Sequence, residues 1–173
     1  MENYIPDAYV KSIYYIDYEK LKEKGIKCIL FDLDNTIVPL SIEKPNKKIK
    51  DFFKKLKELG FKIIIFSNSS KSRLKPFKED LEVDCAFSCK KPMRKKFDLI
   101  IKEYKYMISE IVIIGDNILT DILGGNKVGI TTILVNPISN KEKMTTKISR
   151  IYEKKIINKL GKKELFYRGK YYE

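Results

Sequence analysis

The chain has no histidine and no tryptophan among its 173 residues. Without histidine there can be no Ser-His-Asp or Cys-His triad and no imidazole general base at neutral pH. Catalysis must therefore run on carboxylates, lysines, hydroxyls and a hard metal. Cysteine is nearly as scarce. Cys28, Cys85 and Cys89 form an odd set with no second cysteine pair to complete a tetrahedral zinc site, and buried thiols are the simpler reading. Long apolar runs are missing too. Uninterrupted stretches reach four residues, as in Ile63 to Phe66 and Ile111 to Ile114, against about 18 for a membrane-spanning helix. The opening MENYIPDAYVKSIYYI lacks a basic region followed by an apolar one and a small-residue cleavage site, so a cytoplasmic protein is expected.

Acidic residues are the minority charge, 23 against 36 Lys and Arg, for a net charge of +13. That balance favours anionic partners. It is weak evidence alone, because abundant Ile, Lys and Asn is also what AT-rich coding produces. With 43% hydrophobic residues the chain can bury one core without staples. A single domain is expected, with a core at about 26–137 and two appendages. These are a tyrosine- and isoleucine-rich N-terminal segment (1–25) and a basic C-terminal tail (138–173).

Ile26 to Leu33, Phe61 to Phe66, Asp84 to Phe87, Ile111 to Ile114 and Thr131 to Val135 are short, β-branched or aromatic runs typical of parallel strands buried on both faces. Pro45 to Leu59 places Ile49, Phe52, Phe53, Leu56 and Leu59 at helical spacing and stops at Gly60. Segments 71–80, 93–107 and 118–128 supply further crossover helices. The expected fold is an α/β, doubly wound, open parallel sheet, Rossmann-like, with no inserted cap domain.

Such sheets bind ligands beyond the carboxyl ends of their strands, and the polar clusters fall there. Asp32 and Asp34 close the first strand, Ser67 and Asn68 the second, Asp116 the fourth, while Lys90-Lys91-Pro92 lies just past the third. Asp32 is a carboxylate that can attack phosphorus without a base, provided that a cation offsets the repulsion between anions. Oxygen-rich acidic sites select Mg²⁺. Asp32 and Asp116 are the candidate side-chain metal ligands, Asp34 can add its backbone carbonyl, and Asp121 can hold a metal-bound water. The Asp34 side chain is placed for acid/base work on the leaving oxygen and the attacking water. Ser67, with nearby backbone N–H groups around Asn68, and Lys91 are candidates for binding the phosphoryl oxygens. Each motif alone reads equally well as a turn or a helix cap; their order on successive strand ends carries the argument.

These motifs, DLDNT, SN, KP and GDNILTD, resemble the four motifs of the haloacid dehalogenase (HAD) phosphatase superfamily. PDAYVKSIYYI, FDLDNTIVP, GDNILTDILGGNKVGITTILV and the tail near LGKKELFY further resemble its YqeG-like, type IIIA branch, over nearly the whole chain. The resemblance implies Asp32 as nucleophile, Asp34 as acid/base, Ser67 and Lys91 as phosphate contacts, and Asp116 with Asp121 at a Mg²⁺ ion. Ser69 stands where a second asparagine is common and Asn117 where glutamine is frequent; neither removes a catalytic group.

Asp32 to Ser67 spans 35 positions and Ser67 to Lys91 spans 24, which a helix and a strand fill in each interval. No cap domain fits. An open site suits a phosphate carried on something large, and the branch resembles phosphatidylglycerophosphate phosphatases. Lys141, Lys143, Lys147, Arg150, Lys154, Lys155, Lys159, Lys162 and Lys163, with Ile148, Ile151, Ile156, Ile157 and Leu160, suit a peripheral contact with an anionic membrane. A packed helix with a solvated lysine face is the alternative, and both can hold. Tyr4, Ile5, Tyr9, Val10, Ile13 and Tyr14 could dock on lipid or cover a sheet edge.

Two other classes compete. A phosphoryl-accepting receiver domain uses similar groups, but its lysine comes after its acidic residues, whereas Lys91 precedes Asp116. A basic RNA- or protein-binding protein with little catalysis is suggested by KKPMRKKF and the tail, yet no RNA-module signature is present.

Overall fold

The computed structural model describes residues 1–141 and 144–173, and for Met144 and Thr145 the backbone alone. Lys143, one of the tail's lysines, lies outside the described residues. Among the described residues six parallel strands form one sheet: β1 (Ala8–Val10), β2 (Cys28–Phe31), β3 (Lys62–Phe66), β4 (Asp84–Ala86), β5 (Ile111–Gly115) and β6 (Thr131–Val135), in the order β1-β6-β5-β2-β3-β4. Helices α1 (Tyr18–Glu23), α2 (Lys47–Glu58), α3 (Lys71–Leu81), α4 (Arg94–Tyr104), α5 (Leu123–Val128) and α6 (Met144–Lys162) flank it.

Side chains alternate across each strand, so the sheet feeds two cores. Ile29 and Phe31 of β2 join Phe53 and Leu56 of α2, Phe77 of α3 and Val112 of β5 on one face. Cys28 and Leu30 join Phe66, Phe97, Ile100 and Ile113 on the other. Burial pushes the Cys28 thiol up to about 12 and the Cys89 thiol to about 11, as inert core cysteines require. The helices start on sequence-coded caps. Asn46 accepts from Ile49 N at 3.0 Å, and Ser70 accepts from Arg73 N at 3.4 Å. Between β2 and β3 lies one helix, α2, and between β3 and β4 another, α3; neither interval holds a further domain.

From β2 the chain winds outward to β3 and β4, then returns to the other side of β2 to lay down β5 and β6. The winding therefore reverses between β2 and β5, which opens a crevice at their carboxyl ends. Asp32 and Asp116 are the residues immediately beyond those two strands.

The N-terminal segment does more than lie against the sheet: Ala8–Val10 pairs with Ile133–Val135 and becomes the edge strand. Tyr9 is buried at 1% exposure, its hydroxyl donates to Asn136 Oδ1, and its ring packs against Phe166 and Tyr171. The chain returns near its C-terminal end to cover that edge, with Tyr9 N donating to Tyr172 O at 2.7 Å and Tyr172 N to Tyr9 O at 2.9 Å. This removes an open pairing edge. Tyr9→Ala is expected to lower stability by about 3–5 kcal/mol, and Tyr9→Phe by about 1 kcal/mol. Urea denaturation of both variants checks the ordering, and equal losses would contradict it.

Candidate active site

The crevice is a cleft of about 220 Å³ whose lining includes Asp32, Asp34, Ser67, Lys91, Asp116 and Arg150. Asp32 N extends the β2–β5 ladder by donating to Ile114 O at 2.9 Å, which sets the carboxylate at the sheet's end. The chain then turns sharply. Asn35 adopts φ +65°, its N–H donates to Val38 O, and Thr36 is carried back over the crevice, where its hydroxyl donates to Asp116 Oδ1 at 3.0 Å.

Lys91 is the centre of the arrangement. Its ammonium is buried and donates to Asp32 Oδ1 at 2.8 Å, Asp121 Oδ1 at 2.6 Å and the Phe66 carbonyl at 2.8 Å. Asn68 fixes the backbone that carries it, accepting from Lys91 N at 2.7 Å and donating to Lys91 O at 3.3 Å. Asn68, expected beside the phosphate, lines the cleft and in this arrangement clamps the lysine loop. Ser67 is buried at the end of β3 and lines the cleft, its Oγ accepting from Ser69 N at 3.1 Å.

Asp121 reaches the site through a π-helical turn, Ile118–Ile122, which Asn117 caps by accepting from Leu119 N and Thr120 N. The turn folds the Asp121 carboxylate back over Gly115. A Cβ there would stand 2.2 Å from Asp121 Cγ, so only glycine permits the approach.

Asp32, Asp116 and Asp121 each offer a carboxylate oxygen within 4.8 Å of the others. All three are buried or nearly so, the donors are all oxygen, and both Asp32 and Asp116 are destabilised as anions; such a set fits a hard divalent cation. Burial pushes the Asp32 carboxyl up to about 7, against the pull of Lys91 and with Asp121 and Asp116 adding to the rise. Burial likewise raises Asp116 to about 6, opposed by Arg150 and reinforced by Asp121. Burial works against the Lys91 ammonium, but Asp121 and Asp32 outweigh it and hold the group above its ordinary range.

Asp34 sits apart from that cluster. Arg73 of α3 donates to its Oδ1 from Nη2 at 2.9 Å and Nε at 3.1 Å, and Ser69 to its Oδ2 at 2.6 Å. Asp34 nevertheless borders the cleft.

Four contributors to the site do not stand out in the sequence. Thr36 lies inside the DLDNT motif without a mark of its own. Gly115, just before Asp116, has the look of an ordinary turn glycine, and Arg73 that of one more cation on α3. Arg150 sits among the surface cations of the tail. Yet its side chain is 14% exposed, it pairs with Asp116 Oδ2, and it donates to the Asp116 carbonyl at 3.0 Å and to Glu153 Oε2 at 2.6 Å. No local signal could have found it, because the contact spans 34 residues.

An acidic triad at the switch point of a doubly wound parallel sheet, two of its members bridged by a buried lysine, is the arrangement expected of a HAD-type phosphatase. Residues 1–139 match the mitochondrial PGP phosphatase family, and the chain belongs to it. It is 38% identical over 160 residues to the probable phosphatase YqeG of Bacillus subtilis (strain 168), covering 92% of this chain and 93% of that one. It is 31% identical over 149 residues to phosphatidylglycerophosphate phosphatase 1, chloroplastic/mitochondrial, of Arabidopsis thaliana, covering 80% of this chain but 42% of that longer protein. Among solved structures, an uncharacterized protein from Listeria monocytogenes serotype 4b superposes with a TM-score of 0.54 at 20% identity, covering 68% of this chain and 85% of that one. A putative HAD subfamily III A hydrolase from Legionella pneumophila gives 0.51 at 17% identity, covering 70% and 72%. These two likenesses show the shared fold. The relatives' phosphatase names do not favour the reading of a basic RNA- or protein-binding protein.

The raised carboxyls fix the sign of a pH effect. A carboxyl with a folded-state value above its unfolded one stabilises the fold fully below the unfolded value, and that stability is lost as pH rises through the folded value. For Asp32 and Asp116 the loss runs from about 4 through about 6 and 7. The lowered carboxyls of Asp84 and Glu110 act in the opposite sense and at lower pH: their stability is present above the unfolded values of 3.8 and 4.5 and is lost as pH falls. The metal-free protein should therefore melt at progressively lower temperature between pH 5 and pH 8. Asp116→Asn should flatten the profile, and a melting temperature that climbs across this range would contradict the assignment.

Proposed function

We propose that the chain is a Mg²⁺-dependent phosphomonoester hydrolase working through an aspartyl-phosphate on Asp32, with a membrane-borne phospholipid monoester such as phosphatidylglycerophosphate as substrate. The observation that carries the reading is the Asp32 carboxylate itself. It stands at the sheet's switch point, oriented by Lys91, beside two further buried carboxylates and open to the cleft.

Asp32, Asp116 and Asp121, with the Asp34 backbone carbonyl, would hold the cation, which when bound supplies the positive charge that lets an anion approach a phosphate. Asp32 then attacks phosphorus and forms the acyl phosphate while the ester oxygen leaves. Asp34 delivers a proton to that oxygen; to do so, its carboxyl must turn from Arg73 toward the cleft. In the second step Asp34 takes a proton from water, which attacks phosphorus, releases inorganic phosphate and regenerates Asp32. Lys91 and Ser67 would hold the phosphoryl oxygens as negative charge shifts onto them, Lys91 by turning a donor from one of its three present partners.

The absence of an inserted domain in either interval supports a bulky substrate. Charge and exposure at the rim support a lipid. Ile148, Ile151 and Tyr152 of α6 are 54%, 59% and 59% exposed, while Lys147, Lys154, Lys155 and Lys159 on the same helix are exposed beside them. Thr146, Ser149 and Arg150 of that helix line the cleft. An apolar stripe among lysines suits an anionic bilayer surface, and it lies on the helix whose other face lines the cleft. The relatives named as phosphatidylglycerophosphate phosphatases agree with this substrate class.

Phosphate release in mixed micelles tests the reading. Wild type should act in Mg²⁺ and prefer phosphatidylglycerophosphate over sugar phosphates, nucleotides and phosphopeptides. Asp32→Asn should cut turnover by about 10³-fold or more with an unchanged circular dichroism spectrum; undiminished turnover would sink the nucleophile assignment. The substitutions Ile148→Asp and Ile151→Asp together should slow hydrolysis of the lipid in anionic vesicles while sparing a soluble phosphate ester. An equal effect on both substrates, or preference for a soluble metabolite, would count against the membrane-borne substrate.

A further inference from the structure

Arg150 meets Asp116 twice, through its side-chain carboxylate and its main-chain carbonyl. Asp116 is also one of the three carboxylates whose oxygens converge within 4.8 Å. A guanidinium and a divalent cation thus draw on one anion. The arginine is firmly delivered. Glu153, 2% exposed, accepts from Arg150 Nη1, from Arg168 at 3.0 Å and from Ile118 N at 2.8 Å. Further along, Leu160 and Phe166 are buried with Tyr9, Ile118, Ile122 and Leu134, so the end of the helix is embedded in a core cluster.

Among the described residues, Asp32, Asp116, Asp121 and Glu153 carry four negative charges when ionised, and Lys91, Arg150 and Arg168 return three positive ones. A cation entering this nearly balanced, water-poor cluster meets repulsion from Arg150 at short range. We propose that Arg150 is a positioning residue that competes with the divalent cation for Asp116, so that helix α6 sets the cation affinity of the site. In the absence of cation the guanidinium keeps Asp116 oriented and compensated. When the cation is bound, Asp116 shares its charge with both, and affinity is lower than three carboxylates alone would give. This inference rests on the divalent-cation reading above.

Calorimetric titration of the full chain with MgCl₂ at pH 8.5, above the range in which Asp32 and Asp116 take up protons, tests it without reference to turnover. Arg150→Gln should bind Mg²⁺ about five- to tenfold more tightly than wild type, while its cation-free form melts at lower temperature because Asp116 has lost its partner. Arg150→Lys, which keeps the charge but not the two-pronged contact, should fall between them. Lys155→Gln removes the same charge from the exposed side of the helix and should leave the affinity unchanged. Wild-type or weaker affinity in Arg150→Gln, or equal tightening in Lys155→Gln, would overturn the inference. No Mg²⁺ binding by any of these proteins would overturn the divalent-cation reading and this inference with it.

Discussion

The buried ammonium of Lys91 is the contact on which the site depends. It joins the ends of three structural pieces: the carboxylate after β2, the last carbonyl of β3, and the π-helical turn after β5. Three carboxylates brought to one sheet edge would repel one another and lose hydration. Lys91 between Asp32 and Asp121, with Arg150 on Asp116, makes their proximity tolerable, although an ion pair in such surroundings adds little net stability. The neighbouring features arise from the need to keep that lysine in place. Asn68 grips its backbone, and Gly115 leaves room for Asp121 to reach it.

The remainder of the sheet is held by apolar burial, and the two kinds of organisation meet at the strand ends. Strands β2, β3 and β5 are buried through nearly their full length, so their carboxyl ends are fixed points in a packed layer. Polar side chains mounted on those ends inherit that rigidity. This is why a cluster with raised carboxyls can persist: unfolding it locally would require disturbing β2 or β5 at the middle of the sheet.

The parallel sheet, the helices over 45–59 and 71–80, and the residues at strand ends are legible in the sequence, because each depends on short-range pattern. Periodicity marks buried strands, and motifs mark the residues just beyond them. Pattern fails where long-range contact decides. Ala8–Val10 is too short to read as a strand, and its pairing with Ile133–Val135 is invisible without the fold. In the tail, the periodic isoleucines leave a lipid-facing and a packed helix both open; Ile148 and Ile151 are exposed, Ile156 and Ile157 pack against the cluster of Leu160, and Arg150 and Glu153 turn inward. Hydrophobicity alone does not divide that helix, because its inner face meets an acidic site before it meets a core. An arginine that is buried by its partners looks, in sequence, like any solvated cation.

Helix α6 lies beyond residues 1–139, the segment matched to the family, yet it supplies one wall of the cleft. At roughly 100° per residue, positions 150, 153, 157 and 160 fall on one side of a helix and 148, 151, 152 and 155 on the other. The first set touches Asp116, Ile118 and the cluster around Leu160; in the second, Ile148, Ile151, Tyr152 and Lys155 are exposed. One helix thus separates a buried electrostatic contact from an exposed amphipathic surface by its own width. On the inner face Arg150, braced by Glu153, meets the Asp116 carboxylate. The surface proposed to meet lipid and the arginine proposed to tune the cation site thus belong to opposite faces of the same helix.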